Sequence, residues 1–292
     1  MKRLLVALAV VVVAAAVSGA VAEIGETEGS ASAVPRLRHV VLVVFENESY
    51  GAVIGSKQAP TFNALARRYS LLTQSYAVSH PSLPNYLALV SGSTFGIRSD
   101  CTTCRVGGRS LANTLDAAGL SWNAYEEGLP AVGSEVRFAG LYALKHSPFL
   151  YFRSVRSSPR LRDHVVPYSR FAPDLAGGRL PAFSLVVPNL CHSMHDCSVA
   201  TGDRWLAGFL RPLLASPALD HSAVFVTFDE GSSSVHGGGR VATLVLGPPV
   251  EPGTRNSRLV THYGVLRTIE DGLGLPRLGA SARARPITGI WR

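Results

Sequence analysis

Three short clusters in this chain carry side chains that could do chemistry together. The first is Ser79-His80-Pro81-Ser82-Leu83-Pro84-Asn85-Tyr86, where a hydroxyl residue stands just ahead of a Pro-Asn pair and an apolar run reaching Val90. Proline suits a first helical turn because it has no N–H to leave unpaired, so the spacing predicts a helix over Pro84 to Val90 that starts beside Ser82. Free backbone N–H groups and the positive end of the helix dipole make an anion site there. A serine in that place is a candidate phosphoryl acceptor. The second cluster, Glu46-Asn47-Glu48-Ser49, follows the apolar run His39 to Phe45, and the third, Asp229-Glu230-Gly231, follows Ala223 to Phe228. Both runs read as buried parallel strands. Ligand sites of open parallel sheets gather at the carboxyl ends of strands, so the acids are expected to converge. Glu46, Asn47, Asp229 and Glu230 offer only oxygen ligands, which suits a hard divalent cation.

The elements that must position these groups alternate along the chain. Strands are expected at His39 to Phe45, Leu71 to Val78, Ser121 to Glu126, Phe183 to Val187, Ala223 to Phe228 and Val241 to Leu246. Helices are expected at Pro60 to Tyr69, Pro84 to Val90, Leu111 to Ala118, Asp203 to Leu214 and Tyr263 to Leu273, with Ser110 as an N-cap and Gly119 as a stop. This alternation is the signature of an α/β fold with a mostly parallel sheet. Tyr142 to Gly178, rich in Arg, Ser and Pro, reads as an irregular excursion near the site.

The chain opens with Lys2-Arg3, an apolar run from Leu4 to Val17 and Ala20-Val21-Ala22, the pattern of a cleaved secretory signal peptide over 1–22. A flexible polar leader over 23–37 and one catalytic domain over 38–292 are expected to follow, about 270 residues after cleavage and ample for one core. Losing Lys2 and Arg3 takes the formal charge from +8 to +6, which favours anionic partners such as phosphate esters, nucleic acid or acidic lipid headgroups. No later apolar run is long enough to span a membrane. Cys101 with Cys104, and Cys191 with Cys197, fall in two local pairs, read as two short disulfides of an exported protein, with a four-cysteine zinc site as the alternative. No Gly-x-Ser-x-Gly elbow, His-Glu-x-x-His run or Walker A loop is present.

Taken in order, the blocks Phe45-Glu46-Asn47-Glu48-Ser49, His80 to Leu89, Lys145-His146-Ser147-Pro148-Phe149, Pro188-Asn189, Met194-His195-Asp196, Gly202 to Leu206, Phe228-Asp229-Glu230, Thr261-His262-Tyr263 and Pro286 to Trp291 resemble the bacterial phosphoesterases. That family includes secreted acid phosphatases and phospholipases C, and the likeness is greatest to short secreted acid phosphatases, some described as phosphatidylinositol-3-phosphatases. The resemblance covers Arg38 to Trp291 and implies an alkaline-phosphatase-like three-layer α/β/α sandwich with a mostly parallel central sheet.

It further implies one divalent cation held by Glu46, Asn47, Ser82, Asp229 and Glu230; Ca, Mg or Mn fits the oxygen set, and a nearby His could invite Zn. Ser82 would be the nucleophile and Asn85 would hold a phosphoryl oxygen. His195, beside Asp196, would contact the phosphoryl group or protonate the leaving oxygen, since imidazole titrates near neutrality. His80, Lys145, His146 and His262 would line the substrate. Two positions depart from the family pattern: Ser193 stands where an Asp is usual, and Glu48 where a basic residue is common. The implied activity is an exported phosphomonoesterase of acid-phosphatase type working through a phosphoserine. Its substrate would be a small phosphate ester or phospholipid headgroup, with no nucleic acid and no stable membrane insertion. A phospholipase C or other phosphodiesterase is the alternative, and a non-catalytic binding protein on the same fold is a second class. Oligomeric state has no signature in the sequence.

Overall fold

The computed structural model describes residues 33–292. The expected signal peptide and most of the expected leader therefore lie outside the described residues. The end of that leader is not loose, as expected, but docked: Val34 packs against the core, and buried Leu37 donates its N–H to Gly272 O at 2.8 Å.

Eight strands form the main sheet in the order Arg255–Asn256, Ser70–Leu72, Thr243–Leu246, Ala223–Phe228, Val40–Phe45, Phe183–Val187, Trp122–Glu126, Val165–Pro167. Thr243–Leu246 runs antiparallel to both its neighbours, and every other pairing is parallel. Val40–Phe45 lies at the centre, flanked by Phe183–Val187 and Ala223–Phe228.

The central strand shows how the layers arise. All six of its residues are buried, because side chains alternate between two covered faces. Val40, Leu42 and Val44 enter the apolar cluster that includes helices Ser82–Ser91, Leu111–Ala117 and His262–Leu273. Val41, Val43 and Phe45 enter the opposite cluster, built on Pro60–Arg68, Phe171–Ala176 and Val199–Leu214. The result is a helix–sheet–helix sandwich.

Two expectations fail locally. The single strand expected over Leu71 to Val78 is two short pieces in different sheets: Ser70–Leu72 joins the main sheet, while Ser75–Tyr76 pairs with Val260–Thr261. Gln74 breaks the run of apolar residues, and its carbonyl accepts from Val260 N. The expected excursion over Tyr142 to Gly178 contains short helices and the edge strand Val165–Pro167, too short for a periodicity and ending in a proline that only an edge tolerates.

Candidate active site

Glu46 follows the last residue of the central strand, and Asp229 follows the last residue of its neighbour in register. Phe45 pairs with Phe228, so both carboxylates leave the same end of the sheet side by side, and both are fully buried. Asn47 then turns the chain at φ +56°, a left-handed value that asparagine adopts more readily than most residues. This turn aims the Asn47 N–H at Asp229 Oδ1, 3.0 Å away, which also accepts the Glu230 N–H at 2.6 Å. Asp229 Oδ2 is buried with no hydrogen-bond partner.

Ser82 is the first residue of its helix, and all ten residues of that helix are buried. Its Oγ donates to Glu46 Oε2 at 3.1 Å, and the Tyr86 hydroxyl, one turn on, donates to Glu46 Oε1. Burial and then the charge of Asp229 push the Glu46 carboxyl well above the usual carboxylate range. Burial likewise raises Asp229. Two adjacent buried carboxylates, one with an oxygen left unpaired, form an anionic nest that a cation would relieve. The residues present therefore fit a divalent metal.

Glu230 does not face that nest: its Oε2 is 2.7 Å from His80 Nδ1, and burial, followed by the Asp229 charge, pushes it up to about 7. His80 Nε2 in turn meets Ser233 O at 3.0 Å. The Asn47 side chain is exposed. The oxygen-only set expected from sequence is thus tight at Glu46, Asp229 and Ser82 and looser at Asn47 and Glu230.

On the other side of Glu46 stand two histidines. His146, buried and stacked on Tyr86, places Nε2 3.3 Å from Glu46 Oε2. Burial and then the Lys145 charge hold its imidazole well below the ordinary value, so it is neutral and its nitrogens are available as ligands. Ligand atoms of Glu46, His146 and His195 all lie within 4.8 Å of one another. Sequence reasoning assigned His146 to substrate; its position against Glu46 makes it equally a second-ligand candidate, softer than the oxygen set.

His195 sits in the loop closed by Cys191–Cys197, after Met194 at φ +78°. Its Nδ1 lies 2.6 Å from Asp196 Oδ1 and its Nε2 3.2 Å from Lys145 Nζ. An ammonium only donates, so Nε2 is the accepting nitrogen and Nδ1 carries the proton toward Asp196. Lys145 also donates to Asp100 Oδ2 at 2.8 Å, and Asp100 Oδ1 accepts the Leu83 N–H at 3.0 Å. The anion site at the start of the Ser82 helix is therefore held by Asp100. No sequence signal singled it out beyond its place directly before Cys101.

Two expected substrate residues have other positions. The Asn85 amide is fully used inside the fold: Oδ1 accepts from Val78 N and Ser79 N, both at 3.0 Å, while Nδ2 donates to Ser79 O and Pro81 O. It clamps the loop that delivers Ser82 and has no free group for a phosphoryl oxygen. His262 is wholly buried, and its Nε2 donates to the Asp229 backbone carbonyl at 2.6 Å. Burial lowers it to about 4, so it is a neutral brace behind Asp229 and not a substrate contact. Ser193, at the position that departs from the family pattern, accepts the Glu46 N–H with its carbonyl at 2.9 Å and fixes the strand end. The four cysteines form the two expected disulfides, Cys101–Cys104 and Cys191–Cys197, which excludes the four-cysteine zinc site.

The pattern of the Phosphoesterase family matches residues 56–276. The chain is 42% identical over 276 residues to a phosphatidylinositol-3-phosphatase of Mycobacterium tuberculosis, covering 94% of this chain and 88% of that one. It is 32% identical over 228 residues to an acid phosphatase of Aspergillus fumigatus, covering 74% of this chain but 51% of the longer fungal protein. A phospholipase C of M. tuberculosis aligns at 31% identity over 50% of this chain and 27% of its own. Among solved structures, an alkaline-phosphatase-superfamily protein of Vibrio parahaemolyticus superposes with a TM-score of 0.59 at 15% identity, covering 88% of this chain and 72% of that one. A phosphonate monoester hydrolase of Agrobacterium radiobacter gives 0.57 at 14% identity, covering 82% and 74%. The fold is thus alkaline-phosphatase-like, as the motifs imply, and the chain belongs to the Phosphoesterase family and is a phosphoric ester hydrolase.

Proposed function

We propose that the chain is an exported, divalent-metal-dependent phosphomonoesterase that works through a phosphoserine on Ser82. The observation that carries this reading is the Ser82 hydroxyl, at a helix start, donating to one of two adjacent buried carboxylates. Glu46, Asp229 and Ser82 would hold the metal, with Asn47, Glu230 and His146 around it. When bound, a divalent cation supplies charge neutralisation at the phosphoryl oxygens and acidifies a hydroxyl.

The chain's own groups divide the remaining work. Ser82 Oγ attacks phosphorus and its proton passes to Glu46 Oε2, which already accepts it. Lys145 moves its ammonium from His195 to the phosphoryl oxygens, and His195 Nε2, one quarter exposed, takes a proton from solvent. As the ester P–O bond breaks, that proton goes to the leaving alkoxide, while Asp196 holds Nδ1. In the second half, water attacks the phosphoserine and gives a proton to His195. The Ser82 O–P bond breaks, and Glu46 returns the proton to Oγ. Asn85 and His262 act behind these groups as positioning residues.

A monoester is favoured because the M. tuberculosis relative, which aligns over most of both chains, is named as a phosphatase. The substrate in that relative's name makes phosphoinositide monoesters the first class to assay. The test measures phenolate release from p-nitrophenyl phosphate and from a phosphocholine diester, with and without chelator. Ser82→Ala should lower monoester kcat by about 10³-fold or more while the protein stays folded. Ser82-independent turnover, or turnover insensitive to chelation, would defeat the reading, and faster diester cleavage would move it to phospholipase C.

A further inference from the structure

Seven large apolar side chains are exposed among the described residues, and four of them fall between positions 132 and 141: Val132, Val136, Phe138 and Leu141. Phe138, at 62%, is the most exposed of the seven. Single exposed apolar residues are ordinary, but a run of them in one short segment is not. Phe138 and Leu141 flank the Gly140 turn of a two-stranded hairpin in which Phe138–Ala139 pairs with Tyr142–Ala143.

The hairpin is a firm projection. Tyr142 and Ala143 are buried at its base, and Leu144 N donates to Arg137 O at 2.9 Å. Its tip is tied to the catalytic wall, since Leu141 O accepts the Leu190 N–H at 2.9 Å and Leu190 O accepts the Asp196 N–H at 2.9 Å. The same strand runs on through Leu144 into Lys145 and His146, and Leu141 lines one small cavity with Glu126, Glu127, His146 and Asn189. The apolar tip thus borders the wall of the proposed site that carries His146 and the His195–Asp196 loop.

At its Val136 end the charge surroundings are mostly basic. Beside Val136, Glu135 shares a surface pocket with Arg105, Arg153 and Arg156, and its carboxylate pairs with Arg156 and Arg162. One carboxylate faces four guanidiniums, and Arg137 is exposed on the hairpin itself. Arginines around an apolar protrusion complement phosphate headgroups above an acyl layer.

We propose that the 132–141 segment is a docking element for an anionic phospholipid bilayer, with Phe138 and Leu141 entering the headgroup boundary and the neighbouring arginines meeting the headgroups. The chain then works on phosphate monoesters presented in a membrane. Only this last consequence rests on the phosphomonoesterase reading; the docking itself does not. No helix among the described residues is long and apolar enough to cross a membrane, so the contact is peripheral.

The test is co-sedimentation of the full chain with vesicles of phosphatidylcholine alone and of phosphatidylcholine with phosphatidylserine, beside turnover of soluble p-nitrophenyl phosphate. The wild type should partition onto the anionic vesicles. The double variant Phe138→Ser with Leu141→Ser should lose about tenfold or more of that binding, given two large apolar groups withdrawn from the interface. Its soluble turnover should stay within about twofold of wild type, which also reports folding. On vesicles carrying phosphatidylinositol 3-phosphate, its hydrolysis should fall with its binding. Equal binding by wild type and variant, or no binding by the wild type, overturns the proposal. A dimer in sedimentation equilibrium that the double variant abolishes, without vesicle binding, assigns the patch to a second copy and overturns it too. Vesicle binding without turnover of any ester would leave docking standing and remove the phosphatase.

Discussion

Lys145 and Asp100 form an ion pair, 2.8 Å from Nζ to Oδ2, at the start of the helix that carries Ser82. The other Asp100 oxygen takes the Leu83 N–H, so the protein's own carboxylate holds two donors that an incoming phosphoryl group needs. Substrate must win them from Asp100. Asp100→Asn should therefore tighten inhibition by inorganic phosphate about 3- to 10-fold, the effect of removing one charged competitor of about 1 kcal/mol. Lys145→Met should raise KM instead. Unchanged phosphate inhibition in Asp100→Asn would reduce Asp100 to a brace.

The carboxylate nest predicts a thermal response to metal. Burial and mutual repulsion make Glu46 and Asp229 costly side by side, and a cation bound only by the native state adds about 2.7 kcal/mol at a hundredfold excess over its Kd. Adding Ca, Mg or Mn to chelated protein should raise Tm by several degrees. Glu46→Gln should lose most of that rise. A Tm indifferent to every divalent ion would empty the nest of its proposed occupant.

Two acids away from the nest predict how stability varies with pH. Burial pushes the Glu126 carboxyl, which accepts from Ser147 Oγ at 2.6 Å, up to about 8. Burial also raises Glu270, which accepts from Ser281 Oγ and Leu278 N, to about 7. The native state keeps these protons above the pH at which the unfolded chain releases them, so the contribution of these two acids is fully present below about pH 4.5 and is lost as pH rises through 7 to 8. Each acid contributes a loss on the order of a few kcal/mol over that window. Glu126→Gln should flatten the fall, read as urea midpoints at pH 5 and pH 8. A difference between the two midpoints that is the same in Glu126→Gln as in the wild type would contradict the assignment.

Asn85 offers a separate prediction. Asn85→Ala would orphan the Val78 and Ser79 N–H groups and should cost about 2 to 4 kcal/mol. Since those residues lead into Ser82, kcat should drop more than KM changes. A variant with normal kcat at a temperature where it is fully folded would show that the clamp does not position the nucleophile.

How much of this was legible in the sequence depended on length and locality. Val40–Phe45, Phe183–Val187 and Ala223–Phe228 are long, wholly buried runs, and their composition marks them as central parallel strands. Because the acids follow such runs directly, the pairing of Glu46 with Asp229 followed from fold logic alone. Asp100 and His146 were harder, since a lone acid in a loop and a histidine beside a lysine acquire meaning only from partners far along the chain. Asn85 was placed correctly next to Ser82, yet the direction of its amide is decided by the loop folding back over it. His262 reads as a site residue because it stands in the Thr261-His262-Tyr263 block, but it meets Asp229 only through the backbone, from behind.

The two disulfides each close a small ring, spanning three and six positions in the sequence, and each ring abuts one wall of the site: Asp100 precedes Cys101, and His195 lies between Cys191 and Cys197. Rings this short restrict the unfolded chain modestly, by about 2 kcal/mol each in the chain-entropy account. The sandwich itself carries no covalent tie among its described strands. A thiol reductant should therefore silence turnover while the circular-dichroism spectrum persists, so that chemistry and architecture answer to different environments. Folding would need only water; competence would need an oxidant.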